Sequence, residues 1–381
     1  MIRFSSFLGV ALGCCTLACQ GAPPTTSPGP LLAPGSPLKI AAGNLTAGDV
    51  NGDGRDDLLI PSGASLHVML ATTDARFAPA KGSPVTLAER ANELALADVN
   101  DDGRLDLITA GHDSYNVIVM LGDGAGAFAA APGSPLVARK PGKRPHTHGL
   151  ALADVNGDRA LDLLTVNQED DDLSLLLGDG KGNFTTAPRS PFPCGPQPYP
   201  FAMADFDGDR HLDALVPNTG GAALALLRGD GTGNFAAPQT VSAPPNRPYF
   251  VAAGDFTGDG KPDAVVTHDE RPLATLLVND GRGRLGPASS SPLKLGNSAW
   301  KGAIRDFNGD GRPDVVFAAQ AAIEVFLADG TGTAFAPAPG SPFATGKGTW
   351  SLALGDFNGD RKPDVAATCV EEGKVPVLLQ R

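Results

Sequence analysis

Cysteine is scarce: there are five in 381 residues, and Cys14, Cys15 and Cys19 lie within the first nineteen positions. That leaves Cys194 and Cys369, far apart along the chain, so a disulfide framework is not supported. Aromatic residues make up only 6%, and 30 Lys and Arg face 42 Asp and Glu, a net charge of −12. Neutralising phosphates requires clustered cations, so a nucleic-acid partner is set aside. Recognisable catalytic motifs are also missing. There is no Gly-x-Ser-x-Gly elbow, no His-Glu-x-x-His pair and no phosphate loop. With 42% apolar residues the chain is nonetheless too hydrophobic for global disorder.

Glycine (48) and proline (34) are abundant, a little over a fifth of the chain, and imply many turns. The one long apolar stretch, Phe4 to Ala18, follows a single Arg3 and is too short to span a bilayer. Residues 1–19 therefore read as an export signal absent from the mature fold. Leu17-Ala18-Cys19 resembles a bacterial lipobox, with Cys19 as the lipidated residue. Ala11-Leu12-Gly13-Cys14 is a rival site, and cleavage to a soluble secreted form is a third outcome. Residues 20–30, rich in Pro, Thr, Ser and Gly, read as a flexible linker, and the folded domain is expected over 31–381. One unrepeated core of that size would be oversized, so either two domains or a repeat architecture is expected.

The repeat is a nine-residue pattern, Asp-x-(Asn/Asp/Thr)-x-Asp-x-x-x-Asp, recurring seven times at intervals of about fifty residues. Positions 1, 3, 5 and 9 are Asp49, Asn51, Asp53 and Asp57 in the first loop. They are Asp98, Asn100, Asp102 and Asp106 in the second, and Asp154, Asn156, Asp158 and Asp162 in the third. The fourth loop has Asp205, Asp207, Asp209 and Asp213, and the fifth Asp255, Thr257, Asp259 and Asp263. The sixth has Asp306, Asn308, Asp310 and Asp314, and the seventh Asp356, Asn358, Asp360 and Asp364. Hard oxygens at positions 1, 3 and 5 of a tight loop, closed by a carbonyl at position 7 and Asp at position 9, suit calcium. No His or Cys stands at positions 1, 3, 5 or 9, which excludes a zinc-type site there. Up to seven calcium ions are expected. Gly54, Gly103, Gly260 and Gly311 supply the bend at position 6, where Arg159, Arg210 and Arg361 would have to accept positive φ. Those three loops, and the fifth with Thr257, are expected to bind less tightly.

Each loop is followed by short apolar strands, such as Leu161–Val166 and Leu173–Leu177. A Gly-Asp-Gly hairpin signal comes next, as in Gly178–Phe184. Four short strands per unit make one propeller blade, so an all-β, seven-bladed propeller is expected. The last unit ends without its fourth strand. Ala33-Pro34-Gly35-Ser36-Pro37-Leu38 matches Ala338–Phe343, so the N-terminal strand should complete the last blade and close the ring. On these motifs residues 31–381 resemble the FG-GAP/VCBS repeat family, whose propellers include the head of integrin α subunits and some fungal lectins. The resemblance implies a calcium-stabilised, monomeric propeller that binds a glycan or a cell-surface protein, usually without catalysis.

Six residues before each loop's first Asp stand Gly43, Asn92, His148, Tyr199, Tyr249, Trp300 and Trp350. Period-2 alternation places this position on the strand face of Leu352 and Leu354. It reads either as an aromatic layer in the blade-to-blade core or as a stacking platform at the rim opposite the loops. Arg139, Lys140, Lys143 and Arg144 are expected to be neutralised by Glu169, Asp170, Asp171 and Asp172; otherwise they form a basic lip for an anionic polysaccharide. His146-Thr147-His148 is the tight His pair, with His112 and His268 expected in turns on the same face. No acidic or Cys ligand lies at a recognisable spacing, so a solvated loop is expected there rather than zinc. The alternative to a binding module is a polysaccharide lyase or hydrolase using His148, Tyr199 and Arg144.

Overall fold

A computed structural model describes residues 30–381 apart from 140–141, 222, 246, 270 and 330–333. The export signal, its Cys19 and most of the linker lie outside the described residues, as does Lys140. The described chain is all strand and turn. It forms seven antiparallel sheets, each with a path of four strands. Blade 1 runs through Thr46–Gly48, Asp57–Ser62, Ser65–Ala71 and Phe77–Pro79, and the next five repeat that order. Blade 7 takes Thr349–Gly355, Asp364–Cys369 and Val377–Leu379 from the C-terminus and Leu31–Leu32 from the N-terminus.

The acid loop sets this geometry. It joins the first strand of a blade to the second, and the second strand begins at the position-9 Asp, as at Asp162–Asn167 and Asp314–Ala319. Second strands such as Asp162-Leu163-Leu164-Thr165-Val166-Asn167 are buried on both faces because a neighbouring blade packs on each side. First strands of successive blades pack against one another around a closed ring, the first against the seventh included. They are the inner strands. Each of the seven blade interfaces has its own apolar cluster, such as Leu164, Val166 and Leu173 against Met203, Ala214 and Val216. A fully buried Leu or Val side chain contributes about 1.5–3 kcal/mol, so the fold rests on seven similar cores rather than one.

The expected closure is present. Leu31 and Leu32 pair with Leu379 and Leu378. The Ala33 N–H donates to Val377 O at 2.9 Å, and Leu38 and Val375 exchange backbone bonds at 2.8–2.9 Å. The structure also explains Ser in the Ala-Pro-Gly-Ser-Pro segment. Ser36 Oγ accepts the Val377 N–H at 2.8 Å, as Ser134 accepts from Val119 and Ser341 from Val325. The segment ties its own blade's third strand, and in blade 7 that tie joins the two ends of the chain. Cys194 and Cys369 are buried and free.

Candidate functional site

The loops and the aromatic position occupy opposite ends of the inner strands, six residues or about 20 Å apart. At the loop end, the Asp49 carboxylate accepts the N–H groups of Gly52 (2.7 Å), Asp53 (3.1 Å) and Gly54 (2.8 Å). Asp356 does the same for Gly359, Asp360 and Arg361. Position 6 needs positive φ in every loop: Gly54 has 86° and Gly311 86°, and Arg159, Arg210 and Arg361 adopt 75°, 74° and 69°. The fourth loop has Asp at positions 1, 3 and 5, and Asp205, Asp207 and Asp209 bring carboxylate oxygens within 4.8 Å of one another. Such a set of hard oxygens fits calcium, whose charge would offset the repulsion between carboxylates.

The position-9 carboxylates have a structural role that the spacing did not reveal. Asp314 accepts the Phe307 N–H and the Ala328 N–H, both at 2.9 Å, and Asp57 accepts from Val50 and Ala71. Every repeat makes this pair of bonds, from the head of the loop and from the third strand; in blade 7 the second donor is Gln380. Oδ1 of each accepts one of these bonds and keeps a second lone pair, whereas Oδ2 of Asp263 and Asp314 also accepts the Thr257 and Asn308 N–H groups, so a cation ligand is compatible with the staple through Oδ1. All seven side chains are fully buried. Burial pushes Asp57, Asp213 and Asp364 up to about 7 and Asp106, Asp162 and Asp314 up to about 6, against the lowering effect of their backbone donors. Asp263 is raised for the same reason. The loops around blades 7, 1 and 2 surround a funnel of about 1490 Å³ whose wall mixes acids such as Asp49, Asp98 and Asp356 with Arg104, Arg305 and Arg361.

At the opposite end, five side chains form a continuous arc. His148 stacks on Tyr199 (centroids 4.4 Å, 17°), followed by Tyr249 (4.5 Å), Trp300 (5.1 Å) and Trp350, which stacks on Trp300 (4.9 Å, 26°). This corrects the alternation argument, because none of the five belongs to an inter-blade apolar cluster among the described residues. The cause is a β-bulge. Ladder register shifts between Pro248 and Phe250 and between Ala299 and Lys301, leaving Tyr249 and Trp300 as the extra residues. Similar shifts fall at His148/Leu150 and Thr349/Leu352. The extra residue breaks the two-residue period at Tyr249 and Trp300, and the five rings meet one another, half-buried. Burial raises the Tyr199 hydroxyl.

Blades 1 and 2 interrupt the arc with Gly43 and Asn92. A Cβ at Gly43 would meet nothing within 4 Å. Asn44, 5% exposed, donates to Asn92 O at 2.8 Å and Oδ1 at 3.2 Å, while its own Oδ1 has no partner among the described residues. One residue beyond the arc position, Lys301 of blade 6 and Glu93 of blade 2 form an ion pair of 3.0 Å that spans the central channel.

The histidines depart from expectation in two ways. His268 does not join the others: it is the last residue of the strand Asp263–His268, fully buried, with Nε2 2.8 Å from Thr275 Oγ1. His112 lies one residue past the corresponding strand, Asp106–Gly111, and so falls in the turn. There its Nε2 comes 2.9 Å from His146 Nε2, which is 3.0 Å from His148 Nε2. The solvated loop is thus a three-His cluster between blades 2 and 3. Burial holds the His148 imidazole down at about 3, and burial with the nearby His112 lowers His146. The charge clusters do neutralise each other: Arg139 pairs with Asp172 at 2.7 Å and Asp170 at 3.5 Å, and Lys143 with Asp171 at 3.4 Å. Arg144 is exposed.

Residues 49–109, 98–165, 154–216, 205–266 and 306–367 match the family model of the FG-GAP-like repeat. Among curated proteins there is no significant match. Solved structures with a similar fold include an Agrocybe aegerita lectin that recognises non-reducing terminal N-acetylglucosamine (21% identity, 79% of this chain and 80% of that one, TM-score 0.58). Another is the BBS1N–ARL6DN complex (12%, 90% and 94%, TM-score 0.62), and a third is the Staphylococcus aureus virginiamycin B lyase crystallised with quinupristin (10%, 92% and 98%, TM-score 0.53). At these identities the likeness is one of fold alone.

Proposed function

Because the chain belongs to the FG-GAP-like repeat family, we propose that it is an exported ligand-binding module, braced by calcium at one end and recognising a glycan at the other without catalysis. The observation that carries this reading is the break in the arc. Trp350 stacks on Trp300, and the next blade round the ring has Gly43 at the equivalent position, where a Cβ would meet nothing within 4 Å. A flat indole beside an open notch is a stacking platform for a sugar ring. Asn44 Oδ1, without a partner among the described residues, would supply an acceptor for a sugar hydroxyl, and a buried acceptor left unmatched favours a ligand that satisfies it. The fungal lectin lends support through its fold.

Calcium would be held by the loop oxygens and would bring the carboxylates of each blade together, stiffening the frame that spaces the rings. The segment 1–19 argues for export, with lipidation at Cys19 tethering a monomeric propeller to the cell envelope. A glycan array probed with the calcium-saturated chain tests the reading. Hits that weaken at least tenfold in Trp350→Ala and Asn44→Ala support it, and a blank array refutes a glycan and points to a surface protein.

A further inference from the structure

We infer that His112, His146 and His148 form a site for one divalent transition metal of the zinc class, separate from the calcium loops. Three of the chain's six His residues converge here through Nε2, their ligand atoms all within 4.8 Å of one another, although they come from two blades and His112 and His146 are 34 residues apart. Imidazole nitrogens about 2.0–2.1 Å from a tetrahedral zinc lie about 3.3 Å from each other. The observed separations of 2.9 and 3.0 Å need only a few tenths of an ångström of opening.

The groups behind the rings point the same way. Asp113 Oδ1 lies 3.0 Å from His112 Nδ1, and Glu169 Oε1 lies 3.7 Å from His146 Nδ1. A carboxylate at Nδ1 favours the proton on that nitrogen, which would leave the Nε2 lone pair facing the cluster. Metal-bound imidazoles are held in this way. The Nε2 atoms of His112 and His146 face each other at 2.9 Å. The backbone fixes the arrangement further: the Thr147 N–H donates to His112 O at 3.1 Å, and Thr147 Oγ1 donates to Ser114 O at 3.0 Å, tying the blade-2 turn to the blade-3 strand.

No fourth His, Cys, Asp or Glu ligand atom joins the set among the described residues. Three protein nitrogens with a fourth position left to water is the arrangement that keeps a metal exchangeable and open to an outside ligand. His148 is also the end of the aromatic arc. An occupied site would therefore fix that end, between Tyr199 and the turn at His112.

The test uses the full chain, stripped with a chelator and returned to excess calcium so that the acid loops are occupied. Titration with Co²⁺ in place of zinc should give visible d–d bands that saturate at one ion per chain and disappear on addition of Zn²⁺. His112→Ala and His146→Ala should lose the bands while keeping the calcium-dependent rise in Tm. No stoichiometric uptake would mean that a shared proton occupies the cluster, and unchanged bands in the variants would place the metal elsewhere; either result overturns the proposal. Should both variants fail to fold, diethylpyrocarbonate modification of the unaltered chain decides. Zinc must protect these three residues, and modification indifferent to zinc refutes the site.

Discussion

The two ends of the inner strands follow opposite rules. At the loop end all seven blades carry the same nine-residue device, and its position-9 Asp makes the same two backbone bonds in each. At the arc end the equivalent position holds a different kind of residue from blade to blade: Gly43, Asn92, His148, two Tyr and two Trp. A stabilising element works best when every blade has it, because each interface needs it equally. A recognition surface has to be asymmetric to select one ligand in one orientation. On the proposed function, stability would belong to the loops and selectivity to the arc.

The largest effect expected is that of calcium removal. One loop at a hundredfold excess of calcium over its Kd contributes about 2.7 kcal/mol. Emptying several should lower the Tm by more than about 10 °C, which differential scanning calorimetry with and without a chelator measures. Next in size is a contrast within one loop. Asp314→Ala leaves the Phe307 and Ala328 N–H groups unpaired in a buried site and should cost about 2–4 kcal/mol even in chelator. Asp306→Ala should destabilise chiefly when calcium is present. Equal losses for the two variants in chelator would remove the distinction between staple and ligand.

A smaller effect is expected from pH. Six of the position-9 carboxylates are pushed up to about 6 or about 7 in the folded chain and Asp263 is raised as well, against about 3.9 when unfolded. The folded state therefore holds extra protons across that interval. The resulting contribution is fully present below about pH 4 and is lost as pH rises through about 6–7. The metal-free chain should accordingly melt at higher temperature at pH 5 than at pH 8. Calcium, which on the proposed function would bind the ionised loop, should reverse the slope. Melts that do not change between the two pH values in chelator would argue against buried charge at position 9.

Much of this was legible in the sequence because repetition exposes it. Spacing gave the acid loops, and the match of Ala33–Leu38 to Ala338–Phe343 gave the closure that pairs Leu31 with Leu379. Other features stayed hidden for physical reasons. The position-9 staple uses backbone N–H donors, which carry no residue signature. Tyr249 and Trp300 escaped the period-2 rule because a bulge adds one residue to the strand without marking it. The His cluster depends on an offset of a single residue, which puts His112 in a turn and His268 in a strand, and on a contact between blades that only the closed ring creates. The nearby Asp113 beside His112 was the one local signal for it.

The central claim, that the frame and the recognition surface are separable, is tested most directly by one paired measurement: glycan binding and Tm of the calcium-saturated Trp350→Ala chain. The account predicts at least a tenfold loss of affinity with Tm lowered by less than about 3 °C, because Trp350 is half-buried and outside the apolar clusters. Undiminished binding, or unfolding of the variant, would contradict it and return the aromatic arc to the core.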